Sequence, residues 1–180
     1  MNRANLPPVF STERLLFSPW SEADWLALKP IATDPEVMRF ISNGLPWPDD
    51  RIQEFVERQI TCLRENGYCL WRLLEPETGQ MIGFCGLQPL AGTPDIEIGW
   101  WLARSHWGRG LATEAARAVL RDAFGRAFLD RVVAVAQPAH GASRRIMEKL
   151  GMRYERDTQH KGIDVVLYAI ERPPVAPALA

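Results

Sequence analysis

The sequence predicts an α/β (α+β) domain, a mixed β-sheet carrying helices on its faces. Three observations lead there. At 180 residues the chain is long enough to bury one core and short enough to be one domain. Its hydrophobic fraction of 47% and charged fraction of 24% are those of an ordinary globular protein, which excludes a disordered chain. The hydrophobic period also changes along the chain. It is helical over 49–66 and close to two over 68–102, after which helical and strand segments alternate.

In chain order, "RLLFSPW" (14–20) reads as a strand stopped by Pro19. "SEADWLAL" (21–28) starts a helix with Ser21 as N-cap and Asp24 at the third helical position, as in a capping box. "DPEVMRFI" (34–41) is a short helix with Asp34 as cap and Pro35 in first place, followed by the loop "SNGLPWP". Residues 49–66 place Ile52, Phe55, Val56, Ile60 and Leu63 on one helical face, and Gly67 ends that helix. Strands follow at 68–75, 80–90 and 95–102, the first two joined by "PETG". In the third, Ile96, Ile98 and Trp100 share one face and Glu97, Gly99 and Trp101 the other. A helix over 109–128 turns Leu111, Ala115, Val119, Leu120, Ala123 and Phe124 inward. "RVVAVAQ" (131–137) is apolar enough for the sheet centre. "GASRRIMEKLG" (141–151) is a helix ending on Gly151, and 152–158 with 164–170 form a hairpin around "QHKG".

The formal net charge of −1 gives no broad basic field, so nucleic acid and anionic membrane are not expected partners. Any bound anion needs a local site. Cys62, Cys69 and Cys85 form no C-x-x-C pair and read as reduced thiols. No apolar run reaches the ~20 residues of a membrane span, and "MNRANLPPVF" lacks the apolar core of a secretory signal. The expectation is a cytoplasmic protein with an N-terminal extension over 1–10, one domain over 11–172 and a proline-rich flexible tail over 173–180.

"ARSHWGRGLATEAARAVL" (103–120) sets Gly108 and Gly110 where a helix begins. Each glycine in a helix interior costs about 1 kcal/mol relative to alanine, so helix formation does not explain them. A helix start offers unpaired N–H groups and about half a positive charge, and glycine lets an anion approach without meeting a Cβ. A Walker loop would need a lysine at a spacing absent here. A dinucleotide loop would need glycine where Thr113 stands, and Asp130 precedes the next strand instead of ending it.

"EIGWWLARSHWGRGLATEAARAVL", with "ASRRIMEKLGM" after it, resembles the GNAT acetyltransferases, particularly the branch that acetylates ribosomal-protein N-termini. The resemblance spans about residues 11–170. It implies a mostly antiparallel sheet of about seven strands, splayed at a central parallel pair, here "DIEIGWWL" and "RVVAVAQ". It also implies a loop of the form Q/R-x-x-G-x-G/A around the pyrophosphate of acetyl-coenzyme A. Gly108 and Gly110 match that form, and Ser105 stands where Gln or Arg is common. Residues implied to bind the coenzyme are Ser105, His106, Trp107, Gly108, Arg109, Gly110, Ala112 and Thr113 in the loop. Backbone around Trp100, Trp101 and Leu102 would face the pantetheine, with His140 and Ser143 near the sulfur. Either tryptophan could equally fill core, and His106 could equally be a surface histidine.

The implied activity is N-acetyl transfer from acetyl-coenzyme A to a primary amine, by direct attack in a ternary complex and with no metal. The acceptor is a protein N-terminus or a small molecule, and the protein a monomer or homodimer. A coenzyme-binding sensor without turnover is the rival from another class. Glu97 is the candidate base, or else a solvent-facing strand glutamate. Relatives often carry N-x-x-A-x-x-x-Y on the last helix, its tyrosine protonating the thiolate. Here those positions are His140, Ser143 and Met147. Met147 cannot donate a proton. Ser143 could hydrogen-bond the thiolate or simply its own first turn. His140 could act as base or bond the pantetheine, or only cap the helix. His160, at the hairpin tip, is expected to be inert. Trp47, stiffened between two prolines and expected to be exposed, is a candidate acceptor wall with Asp49 and Asp50 beside it. It could instead pack its own loop.

Overall fold

The computed structural model describes residues 10–173. The strands are β1 (Phe10–Ser11), β2 (Leu16–Ser18), β3 (Leu70–Leu74), β4 (Met81–Pro89), β5 (Ile96–Leu102), β6 (Arg131–Ala136), β7 (Arg153–His160) and β8 (Ile163–Glu171). The helices are α1 (Trp25–Ala32), α2 (Pro35–Met38), α3 (Asp49–Asn66), α4 (Leu111–Gly125) and α5 (Gly141–Lys149). All strands join one sheet in the order β1-β2-β3-β4-β5-β6-β8-β7. Every neighbouring pair is antiparallel except β5 and β6.

The sheet has eight strands where about seven were expected. The addition, β1, pairs Phe10 with Phe17 and stacks their rings at 4.2 Å. A two-residue strand has no period to read, and its partner fixes it. Phe10 therefore belongs to the domain; the rest of the expected extension, and residues 174–180 of the expected tail, lie outside the described residues.

Local chemistry accounts for most element ends. Ser21 donates its backbone N–H to the Asp24 carboxylate at 2.6 Å, opening a 3₁₀ turn before α1. That helix runs past the expected end, through Pro30 to Ala32. The carbonyl that proline leaves unpaired is that of Leu26, an exposed residue where water can serve it. Asp34 caps α2 by accepting from the Glu36 N–H, and Gly67, left-handed at φ 75°, ends α3.

The parallel pair positions the site. β5 and β6 share a single register point, Glu97 opposite Val133, and separate beyond it. On the Glu97–Trp101 face of β5, α3 packs Phe55 against Trp101 with nearly parallel rings 6.3 Å apart. α4 lies against β4 and β5, and α5 against α4 and β6. Among the described residues no helix is long and apolar enough to cross a membrane.

Candidate active site

The turn between β5 and α4 is built around two left-handed glycines, Gly108 at φ 72° and Gly110 at φ 77°. A Cβ on Gly108 would meet nothing within 4 Å, so the glycine is required by backbone conformation and not by a neighbour. The Glu114 N–H bonds the Gly110 carbonyl, leaving the amides of the first helical residues, Leu111 to Thr113, without partners inside the helix. Trp107 Nε1 donates to the Leu102 carbonyl at 2.9 Å and ties the turn to the strand end. From the other side Arg14 donates to the Arg109 carbonyl and pairs with Glu114, which also accepts from Thr12.

Above this turn lies a groove of about 420 Å³ between the start of α4 and the start of α5. Trp100, Trp101, Leu102, His106, Trp107, Gly108, Gly110, Ala112 and Thr113 line it, together with His140 and Ser143. Ser105 and Arg109 do not: Ser105 Oγ bonds His106 Nδ1, and Arg109 turns its carbonyl to Arg14. Three cations on the wall, Arg39, Arg145 and Lys149, escaped the sequence reading. The last two are four apart and hence share one helix face, a signal the sequence did contain. Unpaired amides, a helix start and three cations suit a polyanion such as a pyrophosphate.

A larger cleft of about 880 Å³ opens on the other side, between α3 and the tip of the β7–β8 hairpin. The two cavities share Phe40, Ile41, Trp100, Trp101, His140 and Ser143, and so meet where β5 and β6 separate.

Glu97 lines the larger cleft, on the same strand face as Trp101. Its carboxylate accepts from Gln88 Nε2. Gln88 Oε1 lies 3.5 Å from Gln59 Nε2, and buried Gln59 accepts the Leu70 N–H at 2.9 Å. The reading of Glu97 as a solvent-facing glutamate is thereby corrected. Burial raises its pKa above the ordinary carboxylate value, against the opposing pull of the Gln88 hydrogen bond and the Lys161 charge.

His140 occupies the N-cap position of α5 without a side-chain cap bond; its ring stacks on Phe40 at 4.8 Å. Burial lowers its pKa, so the ring is neutral at pH 7 and can accept a proton or a hydrogen bond. Ser143, on the first turn of α5, is buried and lines both cavities. Met147 is fully buried in the core. None of the three tyrosines, Tyr68, Tyr154 and Tyr168, lines either cavity.

Trp47 requires a correction. It is only 7% exposed, because its ring packs on Trp101 at 4.8 Å and Phe55 at 5.7 Å. It still lines the larger cleft, but the Arg51 guanidinium sits over it at 4.5 Å. Asp49 pairs with Lys29 at 2.8 Å, Asp50 accepts the Arg51 N–H, and neither lines the cleft. Its acids are Glu54, Glu57, Glu65 and Glu97. At the hairpin tip, where the sequence placed His160, His160 and Lys161 form part of the cleft wall. Among the described residues no group of three or more His, Cys, Asp or Glu could hold a metal ion.

Residues 14–153 match the family described as the acetyltransferase (GNAT) domain. An uncharacterized N-acetyltransferase of Bacillus subtilis, YnaD, is 30% identical over 81% of this chain and 82% of its own. The crystal structure of an acetyltransferase from Agrobacterium tumefaciens superposes with a TM-score of 0.79 at 26% identity, covering 95% of this chain and 98% of that one. A ribosomal L7/L12 alpha-N-protein acetyltransferase in complex with coenzyme A shares the fold, with a TM-score of 0.73 at 17% identity over 92% of this chain and 98% of that one.

Proposed function

The chain belongs to the GNAT acetyltransferase family, and from that premise we propose that it moves an acetyl group from acetyl-coenzyme A to a primary amine held in the larger cleft. The observation that carries this reading is the junction of the two cavities at Trp101, His140 and Ser143, where the parallel strands part. A phosphate-bearing chain in the smaller groove and an amine in the larger cleft would meet there. Holding both reactants in one geometry is worth up to about 7–11 kcal/mol of the barrier.

The coenzyme supplies a thioester carbonyl and a thiolate leaving group. Around it the amides of 111–113 and the cations Arg39, Arg145 and Lys149 would hold the phosphates, and the open edge of β5 near Trp100–Leu102 the pantetheine. As the amine nitrogen bonds to the carbonyl carbon and the carbon–sulfur bond breaks, the ammonium proton must leave and the sulfur must gain one. Glu97, directly or through water, accepts the amine proton; His140, neutral and facing both cavities, is the second acceptor within the same space. Ser143 donates a hydrogen bond to the sulfur as charge builds on it. With Met147 buried and no tyrosine on the walls, the sulfur's proton comes from solvent or is returned from the base.

The test is steady-state release of coenzyme A thiol over a panel of small amines and N-terminal peptides. Turnover with at least one amine, giving the N-acetylated product by mass spectrometry, is expected. Tight coenzyme binding with no turnover on any amine would leave a binding module instead.

A further inference from the structure

We propose that Arg51 is the anion-binding residue of the larger cleft, and that the acceptor is therefore an amine carrying a carboxylate. The inference rests on the acetyltransferase reading of this cleft and names its substrate class.

The corner formed by Ser42, Trp47 and Arg51 has donors without matching acceptors. Arg51 is half-buried and lines the cleft. One of its terminal nitrogens donates to Ser42 Oγ at 3.0 Å, and its guanidinium carbon lies over the Trp47 ring, 4.5 Å from the centroid. Among the described residues no carboxylate reaches ion-pair distance of it; Arg58 and Lys161 on the same cleft are likewise unpaired but exposed, and of the three only Arg51 is half-buried. Beneath it, Trp47 is more than nine-tenths buried and its Nε1–H has no hydrogen-bond partner. A buried donor without an acceptor is unfavourable, and it adds to the excess of donors at this corner.

Helix formation does not explain the arginine. It sits in the first turn of α3, where a cation opposes the helix dipole. Its contacts instead fix its orientation. Ser42 is left-handed at φ 52°, and its carbonyl accepts from Gln137 at the end of β6. The loop holding Arg51 is thus tied to the strand beside the cavity junction. A guanidinium held on both sides with free N–H groups is pre-organised for bidentate pairing with a carboxylate. Glu97 and Arg51 both line this cleft, one to take the amine proton and the other to pair with the carboxylate.

Free amino acids and peptides with an acidic residue near the N-terminus share this chemistry, and the experiment separates them. The intact protein is given acetyl-coenzyme A with α-amino acids, the corresponding amino-acid amides, and peptides with Asp, or its amide Asn, in second place. Wild type should prefer carboxylate over amide at least tenfold in kcat/KM, in the amino-acid arm or the peptide arm. In Arg51→Met that ratio should collapse at least tenfold, and Arg51→Lys should keep part of it. Calorimetry of N-acetyl amino acids and their amides into the coenzyme A complex reads the same preference without turnover. Equal use and equal binding of carboxylate and amide by wild type would overturn the proposal even if acetylation is robust. Absence of turnover on every amine, with carboxylate-selective binding that Arg51→Met abolishes, would overturn the transferase reading and leave Arg51's role standing.

Discussion

Glu97 accepts a hydrogen bond from Gln88, which in turn meets Gln59. Its carboxylate is drawn toward the neutral form by burial and toward the charged form by the Gln88 N–H and Lys161. A base works when deprotonated, so kcat should rise with pH along a limb centred above the ordinary carboxylate range. Gln88→Leu removes a bond that favours the charged form, which should move that limb to higher pH with little change in coenzyme affinity. Glu97→Gln should lower kcat by about 10²–10⁴-fold and abolish the limb. A limb unmoved in Gln88→Leu would mean that another group, His140 first, carries it. For Ser143, a hydrogen bond that strengthens as sulfur gains charge appears in kcat, not in ground-state binding. Single-turnover measurement of Ser143→Ala should show the chemical step slowed roughly 10–10³-fold at nearly unchanged coenzyme affinity. Met147→Leu, close in volume and in the core, should be almost silent.

The turn between β5 and α4 is the element on which coenzyme affinity should hinge. At Gly110 a Cβ would lie 3.8 Å from Arg14 Nη2, ordinary contact, so space does not forbid alanine. The backbone does: φ 77° strains any residue with a side chain, by about 1–2 kcal/mol. Gly110→Ala should relax away from that conformation and pull the amides of α4's first turn out of alignment. The expected outcome by calorimetry is about a tenfold loss of coenzyme affinity, near 1.4 kcal/mol, in a folded protein. Unchanged affinity would show that these amides are not the phosphate site. Glu114 braces the same turn. Burial disfavours its charge, but hydrogen bonds from Thr12 and Arg14 outweigh this and hold its pKa below the ordinary value. The stability this gives is present at neutral pH and fades as acid protonates the group.

Across the molecule, one buried cation holds the strand edge to the first helical turn. Arg72 is 6% exposed and donates to Asp24 at 2.6 Å, to the Pro19 carbonyl and to Ser18 Oγ. It thereby joins β2, β3 and the turn before α1. Desolvation alone would depress its pKa, and Asp24 offsets part of that. Removing one member of such a pair strands the other, so Arg72→Ala should cost about 3–5 kcal/mol. For a domain of this size that is a fall in melting temperature of roughly 6–20 °C, read by calorimetry. A loss under about 1 kcal/mol would mean that water replaces the guanidinium there.

The sequence by itself determined what is encoded within a few residues. The glycine turn at 108–110 was legible because two glycines at a helix start serve no helical purpose, and its left-handed backbone emerged with the fold. The shared face of Glu97 and Trp101 was legible because strand side chains alternate, and the start of the 3₁₀ turn because Ser21 and Asp24 stand three apart. Tertiary structure decided what depends on residues far apart in the chain. Trp47 is covered because Phe55 and Trp101 reach it from two other elements, a burial no loop composition reports. The Gln59–Gln88–Glu97 line joins a helix and two strands, and Arg14 meets Glu114 across a hundred residues. His160 and Lys161 look like an ordinary hairpin tip until the sheet brings that tip to the cleft where β5 and β6 part. Backbone conformation and periodicity are local properties, and sequence carries them; which polar groups face one another across a cavity is fixed only when the whole sheet closes its core.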